Sequence, residues 1–225
     1  MKLEVLDGRG LPGHVSDGAS DARPAAGTPS RRFRLFKKSV DLGFGALALP
    51  VIGTTALVLV CVNPMLNPGP VFFRQSRMGL HGEPFLVWKF RTMTPCPVGL
   101  RPHDAPLDVD RITPLGAVLR RYRIDELPNF INVLRGEMSL VGPRPDAFEH
   151  AVVYGETVPR YRERFRVKPG ITGIAQVRLG YAETTDIVRR KARYDQLYVR
   201  KARSRTDLYI LGQTLRVVLN GFGAK

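Results

Sequence analysis

The chain is 225 residues long, with 44% apolar and 24% charged residues, a mixture that excludes wholesale disorder and a polytopic membrane protein. Lys and Arg number 35 against 20 Asp and Glu, a net charge of +15 that favours an anionic partner: nucleic acid, acidic lipid or a phosphorylated substrate. Cys61 and Cys96 are the only cysteines and all four histidines are isolated, which excludes a disulfide framework and a zinc site and fits a reducing compartment.

Residues 1–30 are rich in Gly, Pro, Ser, Asp and Ala, have no apolar period and read as a disordered tail without a signal peptide. Residues 31–70 form the next unit. A basic cluster (Arg31, Arg32, Arg34, Lys37, Lys38) leads into Leu42–Val62, nearly continuous apolar sequence. As a helix that run is roughly 30 Å long, about one hydrocarbon thickness. Apolar character all round favours a membrane helix over a core helix. Pro50 sits mid-run, where it removes a donor and kinks the helix. Basic residues flank both ends, which suits a helix that enters and returns to one face. Spanning helices also carry prolines, so both topologies stay open on physical grounds.

Residues 63–70 read as turn chemistry. Val71–Arg74 and Pro84–Phe90 read as the strands of a hairpin, 94–110 as a Pro-rich surface loop, and Thr113–Tyr122 and Leu127–Leu134 as short helices. Ile174–Val177 reads as a short strand, and Asp186–Val199 and Asp207–Phe222 as helices. In the last, Leu208, Leu211, Leu215, Val218, Leu219 and Phe222 form one apolar stripe. With Lys201, Arg203, Arg205 and Arg216 beside it, the stripe suits a membrane surface as well as a core. The fold class expected is α+β, mostly short helices with a small β element.

The stretch Leu119–Asp146 carries the unusual chemistry. Asp125 and Glu126 follow Arg120, Arg121 and Arg123, and Pro128 fits the first turn of a helix. One reading is an acidic N-cap, worth about 1 kcal/mol. The other is a carboxylate pair beside phosphate-binding arginines, one member holding Mg²⁺ while the other attacks phosphorus. Val141-Gly-Pro-Arg-Pro145 fixes the backbone around Arg144 and presents its planar guanidinium for bidentate phosphate contact. Val167-Lys-Pro-Gly-Ile-Thr-Gly173 is a second such turn, carrying Lys168.

The order of these elements resembles a known family. Phe36-Lys-Lys-x-x-Asp41, the Pro-broken run, Lys89-Phe-Arg-Thr-Met93, Arg111-Ile-Thr-x-Leu-Gly116, Asp125-Glu-Leu-Pro128, Asn132 to Pro145, and Lys168-Pro-Gly-Ile-Thr-Gly-x-Ala-Gln-Val177 look like the bacterial sugar transferases. These are the monotopic phosphoglycosyl transferases that begin exopolysaccharide, O-antigen and capsule assembly. The likeness covers about residues 33–220. It departs at Leu49, where serine is common, and at Arg178-Leu-Gly-Tyr181.

The resemblance implies transfer of a sugar 1-phosphate from a UDP-sugar to undecaprenyl phosphate, with release of UMP. Asp125 would be the nucleophile, forming a phosphoglycosyl-aspartyl intermediate, and Glu126 would help hold Mg²⁺, the one cofactor expected. Lys89, Arg91, Arg120 and Arg144 match positions near the phosphates, with Lys168, Asp195 and Asp207 as further candidates, the last two equally suited to capping and salt bridges. The helix would be re-entrant and broken at Pro50. The catalytic domain, 71–225, would then lie on the cytoplasmic face of the bacterial inner membrane, in contact with its lipid. Some members pair, so a homodimer belongs to the expectation. Two alternatives come from other classes: an inactive scaffold of the same fold, and a membrane-tethered nucleic-acid-binding protein. The dispersal of the basic residues among motifs speaks against nucleic acid.

Overall fold

A computed structural model describes residues 30–95, 109–179 and 185–219. The expected tail therefore falls outside the described residues, as does most of the Pro-rich loop.

Helix α1 (Arg31–Leu66) takes in the apolar run and both its flanks. Ser30 caps it, its Oγ accepting from the Phe33 amide at 3.2 Å. The turn expected at 63–70 starts later: Pro64 stays inside the helix, which ends at Asn67, whose N–H donates to the Asn63 carbonyl. Phe33, Asp41, Gly45, Ile52, Leu59 and Asn63 form the buried side. Their spacing of four, seven or eight residues is one helix face. Gly45 lets Leu134 approach so closely that a Cβ there would stand 2.7 Å from it. The rest of the helix is bare: Leu47, Leu57 and Met65 are 72%, 67% and 85% exposed. So large a contiguous apolar face marks a membrane-contacting surface.

Strands β1 (Phe72–Met78) and β2 (Pro84–Phe90) form the expected antiparallel hairpin, in register from Phe72 opposite Phe90 to Met78 opposite Pro84. β1 runs longer than expected because the chain reverses only at Gly82, which has φ +80°. Helix α2 (Pro114–Arg121) is capped by Thr113, whose Oγ1 accepts from the Gly116 amide at 3.0 Å. A single 3₁₀ turn, Ile124–Glu126, precedes helix α3 (Asn129–Leu134). Ile52 and Leu59 of α1 join Phe90 and Leu119 in one cluster, so the anchor is a wall of the core.

Strands β3 (Ser139–Val141) and β4 (Gly170–Thr172) pair in parallel, Ser139 opposite Gly170 and Val141 opposite Thr172. Between them lie helix α4 (Phe148–Thr157) and a 3₁₀ segment, Tyr161–Arg166. The strand expected at 174–177 is instead helix α5 (Ile174–Leu179), the strand having ended at Thr172. Its β-branched residues suggested a strand, but Gly173 breaks the ladder and the Gln176 side chain turns back to the Ile171 carbonyl. Helices α6 (Thr185–Lys201) and α7 (Ser204–Leu219) close the fold, near the predicted bounds. In α7 the core-facing residue is Ile210, fully buried, whereas Leu208 and Leu215 of the apolar stripe are exposed.

Candidate active site

Asp125 is buried inside the 3₁₀ turn that links α2 to α3. The capping reading finds no bond to carry it: Pro128 stands at the N-cap of α3, without a side-chain cap. Glu126 meets Arg144 through two parallel bonds, Nη1 to Oε2 at 3.1 Å and Nη2 to Oε1 at 2.5 Å. Lys89, near the end of β2, brings its Nζ to 3.6 Å from Glu126 Oε1. Burial alone would raise the Glu126 carboxyl, but Arg144 and Lys89 outweigh it and hold it well below the usual range. Asp125 moves the other way. Burial raises it and Glu126 reinforces the shift, against the pull of Lys89, Arg120 and Arg144. Burial also lowers Lys89, to about 8, against the attraction of Glu126. The two carboxyls are thus unlike: one is a locked anion, the other sits among cations with no hydrogen bond among the described residues. Such a group can offer an oxygen lone pair to an electrophile.

The Gly142–Pro145 loop leaves β3 and carries Arg144 to the carboxylates. Its geometry is built by contact between backbones. Gly142 N–H donates to the Thr172 carbonyl at 2.8 Å, and Gly170 N–H to the Pro143 carbonyl at 2.9 Å. A Cβ on Gly142 would lie 2.4 Å from the Lys168 carbonyl oxygen, one on Gly170 2.1 Å from the Gly142 nitrogen, and one on Gly173 2.2 Å from the Gly142 carbonyl. The Lys168–Gly173 motif is therefore the seat of the Arg144 loop. Gly142→Ala is expected to lower stability by about 1–3 kcal/mol through overpacking. Gly43→Ala, inside α1 where a Cβ meets open space, is the control and should not lower the melting temperature.

Behind the loop lies a buried charge network that the sequence does not disclose. Arg164, 5% exposed, donates Nη2 to the Arg144 carbonyl at 2.5 Å and Nη1 to the Tyr161 hydroxyl at 2.8 Å. It also pairs with Asp146, and its Nη2 lies 3.0 Å from Asp195 Oδ2. Arg77 of β1 adds a bond from Nη1 to the Pro145 carbonyl at 3.0 Å. Asp195 thus stands behind the loop, and burial raises its carboxyl to about 6 against the pull of Arg164.

Asp207 lies in a second network. It takes Lys37 Nζ at 2.8 Å and the Tyr198 hydroxyl at 2.9 Å, while Lys37 also donates to the Val141 carbonyl at 2.7 Å. Asp41 accepts from Ser139 Oγ at 3.0 Å and the Leu140 amide at 2.9 Å. Both bind α1 to β3, just ahead of the Arg144 loop. Lys168 is exposed, its Nζ beside Gly136. Arg91 is committed elsewhere: its guanidinium donates to the carbonyls of Pro70, at 2.8 Å, Met93 and Asn67, fastening the end of α1. The break expected at Pro50 is not seen: α1 is one continuous helix through it, and the Pro50 carbonyl accepts from the Thr54 hydroxyl at 2.9 Å.

The donor set suits a shared cation site more than a resident one. Among the described residues no group of three or more His, Cys, Asp or Glu converges. Mg²⁺ commonly takes one or two carboxylates and completes its six oxygens with substrate phosphate and water. Asp125 and Glu126 meet that pattern, since Arg144 uses one lone pair on each Glu126 oxygen.

A family model described as bacterial sugar transferase matches residues 32–221. Over 88% of the chain, 37% of residues are identical to a UDP-N-acetylgalactosamine-undecaprenyl-phosphate N-acetylgalactosaminephosphotransferase of Aeromonas hydrophila, of which the match covers 47%. A UDP-glucose:undecaprenyl-phosphate glucose-1-phosphate transferase of Caulobacter vibrioides is 38% identical over 88% of the chain and 74% of its own length. The Escherichia coli protein of that name is 38% identical over 84% of the chain and 40% of its own length. The chain thus spans less than half of two of these three relatives. With the match running from the start of α1 to the end of the described fold, the chain belongs to the bacterial sugar transferase family.

Proposed function

We propose that this protein transfers a sugar 1-phosphate from a UDP-sugar to undecaprenyl phosphate, releasing UMP, at the cytoplasmic face of the bacterial inner membrane. The observation that carries the reading is the unlike carboxylate pair, Asp125 beside an Arg144-locked Glu126, next to a helix with a bare apolar face.

An Asp125 oxygen attacks the sugar-bearing phosphorus, a P–O bond forms, and the bond from that phosphorus to the bridging oxygen breaks as UMP leaves. A phosphate oxygen of the lipid then attacks the same phosphorus and releases the Asp125 carboxylate. The obstacle is charge: an anion must approach a diphosphate. Lys89, Arg120 and Arg144 supply the opposing field. Glu126 would hold Mg²⁺, with Asp125 beside it, and the cation supplies further neutralisation of the diphosphate when bound.

The re-entrant topology draws support from the two ends of α1. Lys37 is tied to Asp207 and Asn67 to Arg91, both on one body. A helix that crossed the bilayer would part those ends, so we place both on one side, with the Pro50 region at the deepest point.

The test is UMP release by purified protein with undecaprenyl phosphate, Mg²⁺ and a panel of UDP-sugars that includes glucose and N-acetylgalactosamine. UMP from one sugar, dependent on acceptor and cation, is the expected result; none from any sugar, with folded protein, rejects the reading. Lys89 adds a pH signature. Its ammonium is charged below about 8 and neutral above, so kcat/KM should fall as pH rises through that value. Lys89→Arg should move the alkaline limb upward; a limb that stays in place in that variant assigns it to another group.

A further inference from the structure

Away from the carboxylates, α1 and α7 meet at their N-terminal ends around an open groove of about 490 Å³. It is lined by Arg32, Phe33 and Phe36 of α1, and by Arg203, Ser204 and Arg205 at the start of α7. It shares no lining residue with the active site. The three arginines are exposed and carry no salt bridge among the described residues. The acid nearest in sequence, Asp207, is spent on Lys37.

Each helix leads from this cationic end into an exposed apolar face. On α7, Arg205, Leu208, Gly212 and Leu215 recur at three- and four-residue spacing, one helix face, with Leu208 56% and Leu215 61% exposed. On α1, Phe36 of the groove is followed on its own face by Gly43, Leu47 and Val51, at seven- and four-residue spacing, with Leu47 72% and Val51 51% exposed. A charged groove followed by two greasy faces has the outline of an amphiphile: an anionic head at the arginines and acyl chains along the helices. Aromatic rings in the groove suit the boundary between headgroup and hydrocarbon.

The geometry points to a binding site for an anionic phospholipid of the surrounding bilayer, with Arg32, Arg203 and Arg205 holding its phosphate. A bulk phospholipid fits better than the acceptor, because a reacting phosphate must reach Asp125 and this groove lies outside that site. It also fits better than a free anion, because the apolar faces adjoin it.

The test titrates full-length protein in detergent with dioctanoylphosphatidylglycerol, dioctanoylphosphatidylcholine or inorganic phosphate and reads bound ligand by native mass spectrometry. The expected result is saturable phosphatidylglycerol binding, stronger than phosphatidylcholine and not displaced by inorganic phosphate. Each arginine is worth on the order of fivefold, so R32Q/R203Q/R205Q together should weaken it about a hundredfold. UMP release in detergent and the melting temperature should stay unchanged. Binding in the wild type should also fall with added salt. Equal affinity for the two lipids, an unaltered triple variant, or full displacement by inorganic phosphate overturns the assignment. Competition by phosphatidylglycerol against undecaprenyl phosphate in the transfer assay would make the groove an acceptor port, and that too overturns it.

Discussion

Asp125→Asn is expected to stop sugar-phosphate transfer, lowering kcat on the order of 10⁴-fold or more, while leaving the protein at least as stable as the wild type. The two effects have one origin. Asp125 is buried, makes no side-chain hydrogen bond among the described residues, and has its carboxyl raised by burial with Glu126 adding to the shift. A raised carboxyl is one whose charge the native state disfavours. Removing that charge gives up the attraction of Lys89, Arg120 and Arg144 but relieves the larger cost of burial, and it removes the nucleophile. Glu126→Gln should behave differently. Glu126 is held low by Arg144 and Lys89, so its loss leaves two cations facing one another and should lower stability as well as activity. Incubation with a UDP-sugar labelled in the sugar-bearing phosphate, without acceptor, separates the roles. Wild type should retain acid-stable label on protein and Asp125→Asn none. Label of equal amount on Asp125→Asn would refute the assignment of the nucleophile.

The largest loss of stability is expected at a residue that touches no substrate. Arg164→Met should cost about 3–5 kcal/mol, because it leaves Asp195 buried, and Asp146 half-buried, without their cation. Burial would raise Asp146, yet Arg164, Lys191 and the Tyr161 hydroxyl outweigh it and hold the carboxyl far below its ordinary value near 3.8. That stabilisation is present above the ordinary value and fades as pH falls through the native one. Asp195 carries the opposite sign: its carboxyl is raised to about 6, so between the two values the native state holds a proton the unfolded chain has released, and stability declines as pH rises through that window. The Arg164→Met deficit should therefore be greater at pH 7.5 than at pH 4.5, and Arg164→Met/Asp195→Asn should recover part of it. Denaturation at the two pH values decides. A deficit that ignores pH would mean lost packing around Tyr161 rather than stranded charge. Because Arg164 also holds the Arg144 carbonyl, the residual folded variant should show a raised KM for the UDP-sugar.

The elements that periodicity could show are those whose local sequence agrees with their final environment. Thr113 caps α2 with Pro114 at its first position, and the hairpin strands carry aromatic and branched residues up to a glycine reversal. The parallel pair β3–β4 escaped because strands of three residues show no alternation, and their partners lie far apart in sequence. Arg164 escaped for a related reason: Tyr161–Arg166 contains four charged residues in six, and nothing local tells the buried one from the solvated ones. Arg91 shows the converse. The resemblance matches Arg91, with Lys89, to a position near the phosphates; residues two apart share a face only while a strand lasts, and β2 ends at Phe90. Beyond it the guanidinium finds the carbonyls at the end of α1. The carboxylate pair was visible as a motif, not as physics, since an acid before Pro128 has the local signature of a cap.

The bond from Lys37 to the Val141 carbonyl gives α1 a second identity. Through Lys37 this helix with the bare apolar face reaches the residue just before the Arg144 loop, and Asp41 holds the strand beneath it. Cutting the chain after Leu66 to obtain a water-soluble enzyme would therefore strip out the foundation along with the float. What remained would have a β3 edge missing its carboxylate acceptor and an Asp207 missing its ammonium. Detergents that compete for the inner face of α1 should act as inhibitors without ever entering the active site.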